Sequence, residues 1–131
     1  MRNHLKVDDY HGVAKSYQKT LNAFLCCFTD SSIHGYVFLK NFEIAGSGSL
    51  LLTDSLIEKP MNELGFFDGV NCVFCIKENF LEKIDFILAP RNRAKVDEMR
   101  RAGMALVHTR HLTSHRARLF NEKYQDAMRT H

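Results

Sequence analysis

Apolar residues fall in short runs separated by amphipathic stretches, and the two patterns alternate over residues 22–88. Asn22 to Phe28 (NAFLCCF) is apolar and β-compatible and runs into Thr29-Asp30-Ser31-Ser32, which predicts a buried strand ending in a polar turn. Phe38, Leu39, Phe42 and Ile44 have helical spacing, so a helix is expected from about Gly35 or Tyr36 to Ala45, capped by Ser31 or Ser32. Gly46 and Gly48 allow a sharp turn, and Leu50-Leu51-Leu52 then marks a strand, Ser49 to Thr53, covered on both faces. Ser55 opens a looser segment broken by Pro60. Asn71 to Ile76 (NCVFCI) gives a third strand, and Glu78 to Leu88 an amphipathic helix stopped by Pro90.

The flanks read differently. His4 to Val7 is a short strand candidate, and Tyr10 to Thr20 a helix with Tyr10, Val13 and Tyr17 inward. Asn92 to Val107 is expected to be helical, with Val96, Met99 and Leu106 on one side and Gly103 a point of interruption. Thr113 is placed as the cap of a last helix carrying Ala117, Phe120 and Tyr124. Strands alternating with helices predict a parallel sheet with right-handed crossovers, hence an α/β fold.

The chain has 131 residues, enough for one domain that buries roughly two thirds of its unfolded surface. With 45% hydrophobic and 25% charged residues it has the composition of a globular protein, and a net charge of +3 does not by itself imply nucleic acid. No apolar run approaches the roughly 20 residues of a membrane span, and Met1 to Lys6 lacks a secretory apolar core, so a reducing, cytoplasmic setting is expected.

Candidate chemistry centres on residues 40–54, KNFEIAGSGSLLLTD. Glu43 sits among apolar neighbours ahead of Gly46, Ser47 and Gly48, where a carboxylate can accept both hydroxyls of a ribose. The expected helix start near His34 to Val37 offers backbone N–H groups and a positive dipole end suited to phosphate, with Lys40 one turn on. Thr53 and Asp54 close a strand at its carboxyl end, where ligands gather in open α/β sheets. Gly46-Ser47-Gly48 is no dinucleotide fingerprint, because it precedes a strand and position 51 is Leu51.

Cys72-Val73-Phe74-Cys75 has C-x-x-C spacing, and Cys26-Cys27 could complete four thiolates. Within strands, however, Cys26 and Cys27 point to opposite faces, as do Cys72 and Cys75, so buried reduced thiols are expected and no metal is assigned. His108, His111 and His115 would share one side only of a continuous helix. Arg91, Arg93, Lys95, Arg100, Arg101, Arg110, Arg116 and Arg118 concentrate positive charge late in the chain without interleaved aromatics, the pattern of a solvated helix face.

The run K-x-F-E-I-A-G-S-G-S-L-L-L-T-D resembles the donor-binding half of GT-B glycosyltransferases, specifically the group 1-like domain of spore-maturation glycosyltransferase-like proteins. Asn62 to Phe74 is similar to that family's acidic-apolar turn, glycine and strand, and Phe80 to Leu88 to its next helix. His108 to Ala117 is similar to its histidine-threonine and histidine-arginine-alanine tail. The resemblance implies a Rossmann-like three-layer domain over residues 1–131, equivalent to the later half of a donor domain. It aligns Glu43 with the ribose-binding glutamate and Ser32 to Tyr36 with the loop near the diphosphate. The glutamate that many such domains carry eight positions earlier is replaced here by Gly35.

The leading expectation is a glycosyltransferase-like protein contributing a nucleotide-sugar donor site, with Glu43, Lys40, Ser32, Gly35, Tyr36 and Val37 around the nucleotide and Thr53 and Asp54 lining a cleft. The donor is a substrate and no cofactor is assigned. The alternatives are a non-catalytic nucleotide-binding or assembly module, and a basic nucleic-acid-binding domain. In a sheet of order 3-2-1-4-5-6 the three strands would be the fourth to sixth, which leaves Asn22 to Phe28 as an apolar edge. Cover is expected from the N-terminal segment, from a second copy in a dimer, or from a separately encoded half-domain, with the dimer preferred.

Overall fold

The computed structural model describes residues 10–130, with side chains from Ser16 onward, so the strand candidate at His4 to Val7 and the side chains of Tyr10 and Val13 lie outside the described residues. The first helix, α1 (Tyr10–Asn22), leads into β1 (Cys26–Thr29), α2 (Leu39–Gly46) and β2 (Leu50–Asp54). A 3-10 turn, Ser55–Ile57, and α3 (Glu58–Glu63) carry the chain to β3 (Val73–Cys75). Then come α4 (Phe80–Leu88), α5 (Arg93–Arg110) and α6 (Thr113–Arg129). The strands form one parallel sheet in the order β1-β2-β3, in register Cys26 to Leu50 and Leu52 to Val73. This is a Rossmann-like α/β fold with a short open sheet and C-terminal helices.

Period-two alternation sorts the strand side chains into two apolar layers. Leu51, Phe74 and Cys72 pack on one face with Ile44 and Ala45 of α2, Ile57, Met61 of α3 and Val107. Leu50, Leu52, Val73 and Cys75 pack on the other with Ile87 of α4 and Val96 and Met99 of α5. The sheet is thus covered on both sides, which explains why Leu50-Leu51-Leu52 is apolar without alternation. The cysteines obey the same parity: Cys26 and Cys75 lie in one layer, Cys27 and Cys72 in the other. Burial raises the thiol pKa of Cys26 to about 12 and pushes Cys72 and Cys75 up as well, so these three are neutral thiols at physiological pH.

Helix α5 crosses beneath the amino ends of the strands. Val96 and Met99 belong to one layer, Val107 to the other, and between them Gly103 meets the backbone of Asn71 and the methyl of Ala45. Its flank is tied to the turn before β2, where Arg100 Nε donates to Gly48 O at 2.8 Å and His108 Nε2 to Gly46 O at 2.9 Å. Gly103 therefore does not interrupt the helix; the missing side chain is what lets it pass this close.

Several local expectations are corrected. The strand expected from Asn22 begins at Cys26, because Asn22 still belongs to α1 and donates from Nδ2 to Ser47 O at 2.6 Å. The helix expected from Gly35 or Tyr36 begins at Leu39, with Phe38 as its N-cap. Residues 30–38 form a loop instead, in which Ser32 and Gly35 take positive φ values of 60° and 65° that an α-helix does not admit. Neither Ser31 nor Ser32 caps the helix, and Ser31 turns to Asp54. The segment after Ser55 is ordered as the 3-10 turn and α3, because Pro60 falls in the first helical turn, where no intrahelical N–H is needed. Leu112, and not Thr113, is the N-cap of α6, and its N–H donates to His115 Nδ1 at 3.0 Å.

Candidate functional site

Parallel strands bring their carboxyl ends to one rim, and the loop after each strand must turn there. At that rim Asp54 ends β2 with both carboxylate oxygens engaged. Ser31 Oγ donates to Oδ2 at 2.7 Å and the Leu56 N–H donates to Oδ1 at 2.9 Å, which fixes the carboxylate and links the loop after β1 to the end of β2. Ser31 is fully buried, so this contact is sheltered from water on its side.

Asp54 stands at the seam of two hollows. One, of about 540 Å³, is lined by Phe28, Cys75, Ile76, Lys77 and Phe80 with Asp54. Its wall is aromatic: the rings of Phe28 and Phe80 meet edge-on with centroids 5.2 Å apart. The other hollow is lined by Asp30, Ser32, Ile33 and Leu56 with Asp54. Thr53, by contrast, is fully buried on the α2 face, and its hydroxyl has no hydrogen-bond partner among the described residues.

The other sequence-derived candidates spread along the loop and α2. Tyr36 N–H donates to Ser31 O at 2.9 Å and Gly35 N–H to Ser32 O at 3.3 Å, so Ser32, Gly35 and Tyr36 form a tight hook over the rim, with Val37 leading to α2. The N–H groups of residues 34–37 thus belong to a loop and not to a helix start. Lys40 is exposed in the first turn of α2. Glu43 lies one turn deeper, half-buried against α1, where Tyr17 Oη donates to Glu43 Oε2 at 3.2 Å. Burial first, and the Glu43 carboxylate second, raise the Tyr17 pKa, so the phenol stays a donor.

The Ser31–Asp54 link, Asp30 and the Phe28–Phe80 wall were not singled out from sequence. The readable signal was two polar endings, Thr29-Asp30-Ser31-Ser32 and Thr53-Asp54, one after each of two neighbouring strands.

The three late histidines do not converge. His108 bonds Gly46 O, His111 Nε2 donates to Leu64 O at 2.6 Å, and His115 caps α6, because α5 ends at Arg110 and the chain turns before α6. Among the described residues no group of three or more His, Cys, Asp or Glu side chains is placed to hold a metal ion. Of the basic residues, Arg93 and Arg100 share Asp97, at 3.1 and 2.9 Å, and Lys95 pairs with Glu98 at 3.5 Å. No helix among the described residues is long and apolar enough to cross a membrane.

A short parallel sheet with helices on both faces and two hollows meeting at Asp54 on its carboxyl rim defines an open α/β domain. A family described as glycosyl transferase-like matches residues 1–122, and the chain belongs to that family. No curated protein and no solved structure matches it.

Proposed function

We propose that this chain, as one Rossmann-like domain over residues 1–131, contributes the nucleotide-sugar donor site for transfer of a sugar to an acceptor, in the manner of a GT-B donor domain of the group 1-like, spore-maturation kind. The observation that carries the reading is the Ser31–Asp54 link at the carboxyl rim, which holds two strand-end loops together at the seam of two hollows in a chain of a glycosyl transferase-like family. In this reading the diphosphate lies over the hook formed by Ser32, Gly35, Tyr36 and Val37, with Lys40 supplying positive charge. Glu43 accepts the ribose hydroxyls, exchanging its Tyr17 contact for them, and Asp54 borders the sugar.

The chemistry asked of these groups is stabilisation of a departing diphosphate by the Lys40 cation and by loop N–H groups other than those of Gly35 and Tyr36, which the hook itself uses, the kind of electrostatic assistance that acts most strongly where charge develops. Acceptor contacts would come from a partner domain or a second copy, so transfer is expected only from the completed assembly.

Calorimetry with UDP, GDP and ADP on the wild-type chain and Glu43→Ala tests the proposal. Loss of charge-assisted hydrogen bonds should weaken binding by roughly 1.5–3 kcal/mol. Equal affinities with the fold intact would remove Glu43 from the site, and no binding of any nucleoside diphosphate would sink the donor-site reading.

A further inference from the structure

The hollow lined by Phe28, Asp54, Cys75, Ile76, Lys77 and Phe80 lies on the opposite side of the sheet from Glu43. Phe28 follows Cys26 by two residues and Asp54 follows Leu52 by two, so both side chains fall on the face packed by α4 and α5, with Cys75 and Phe80. Glu43 and its partner Tyr17 belong to the α2 face. A nucleotide whose ribose sits at Glu43 therefore keeps its base on that other face.

The wall of the hollow suits a flat apolar group. The rings of Phe28 and Phe80 meet edge-on, and Ile76 beside them is 47% exposed. The Cys75 thiol donates to Thr53 O at 3.4 Å, so its proton is committed and what it adds to the wall is polarisable sulfur. A volume of about 540 Å³ falls within the roughly 300–1,000 Å³ of small-molecule sites, which combine apolar and aromatic walls with a few polar groups that orient the ligand.

The charged groups on this wall are Asp54 and Lys77. Each carboxylate oxygen of Asp54 already accepts one bond, from Ser31 Oγ or from the Leu56 N–H, and each has a second lone pair to offer. A carboxylate held in this way takes a further donor without turning. Lys77, exposed nearby, opposes a cationic ligand, so the donor that fits both charges is a neutral hydroxyl.

We propose that this hollow binds a hydroxylated aromatic ring of the acceptor, with the ring against Phe28 and Phe80 and a hydroxyl donating to Asp54. Its assignment to the acceptor rests on the donor-site reading, in which the donor runs from Glu43 over the hook to Asp54 and the hollow opens where the sugar ends. This chain then supplies a share of the acceptor site beside the contacts made by the completed assembly.

Proton–nitrogen correlation NMR on the full chain, titrated at mildly acidic pH with the flat bicyclic phenol umbelliferone, alone and with UDP, tests it. The amides of Phe28, Ile76, Lys77 and Phe80 should shift saturably, and UDP should leave those shifts in place. Phe28→Ala and Phe80→Ala, each checked for unchanged Leu51 and Leu52 signals, should weaken binding at least about tenfold. The methyl ether of umbelliferone, which has no hydroxyl to donate, should bind about fivefold more weakly. Absence of saturable shifts, affinity that survives both alanine variants, equal affinity for the methyl ether, or displacement by UDP, which would give the hollow to the nucleobase, would each overturn the proposal. Failure of UDP, GDP and ADP to bind in calorimetry while umbelliferone still binds here would count against the donor-site reading alone.

Discussion

Ser31 and Asp54, 23 residues apart in sequence, share a 2.7 Å hydrogen bond that holds the loop after β1 against the end of β2. Because Ser31 is fully buried, its hydroxyl has little water to fall back on, and because Asp54 keeps some solvent contact the bond is worth less than a fully buried one. Ser31→Ala is expected to lower stability by about 1.5–2 kcal/mol, the low part of the range for hydrogen bonds to charged groups. Urea denaturation, with the midpoint shifting at constant slope, is the measurement; an unchanged midpoint would mean that the loop is held by something else.

The glycine at the centre of α5 gives a sharper expectation. A Cβ at Gly103 would come within 2.7 Å of the Asn71 carbonyl oxygen, which is backbone and cannot step aside. Gly103→Ala should therefore cost roughly 1–3 kcal/mol, although alanine is the better helix former. Thermal unfolding of Gly103→Ala beside the wild type checks this, and a variant as stable as its parent would refute the close packing.

His111 makes stability depend on pH. Its ring packs against both Phe42 and Phe66, at centroid distances of 5.2 and 6.1 Å, with Nε2 donating to Leu64 O and Nδ1 within 3.1 Å of the Arg116 guanidinium. Burial first, then the positive charges of Arg116 and Arg110 and neighbouring His115, lowers its pKa below the usual 6.5; the bond to Leu64 opposes this only in part. A depressed histidine pKa means that the unfolded chain takes up the proton first. The contribution is thus complete above pH 6.5 and is lost as pH falls through the lower folded value. Melting temperatures from pH 7.5 down to 5 should fall more steeply for the wild type than for His111→Phe, and parallel curves would contradict this.

The cysteines are expected to behave as packing groups. With burial holding Cys26, Cys72 and Cys75 in the thiol form, a thiol reagent at pH 8 should label them slowly in the folded protein, and all four cysteines rapidly in denaturant. Zinc analysis of protein purified without chelator accompanies the labelling. Stoichiometric zinc, or rapid labelling of Cys72 in the native state, would show that the strands do not hold these side chains apart.

The strands, the α/β class and the cysteine parity were legible because each follows from one local signal, an apolar run or the period-two alternation within it. The start of α2 was not. Phe38 and Leu39 have helical spacing with Phe42 but are exposed, whereas the buried stripe of that helix is Asn41, Ile44 and Ala45, with a polar residue where a core position is expected. The hook at Ser32 and Gly35 depends on φ values that no apolar pattern encodes. The rim was half visible, since two neighbouring polar strand ends point to a cleft. The pairing of Ser31 with Asp54 depends on strand order and register, which are tertiary facts. Glu43 was prominent in sequence as an acidic residue among apolar ones, and its partnership with Tyr17 supplies a structural reason for that setting beside the proposed one.

Because α5 grips both faces of the sheet from below, the three strands share a common foundation at one end and none at the other. Val96, Gly103 and Val107 act as rivets there, so parting the strands at that end means breaking the packing of both layers at once. At the rim, by contrast, the loop after β1 and the end of β2 are held to each other through Ser31 and Asp54 alone among the side-chain bonds of the described residues, so one hydroxyl there does for the mouth what a whole helix does for the base.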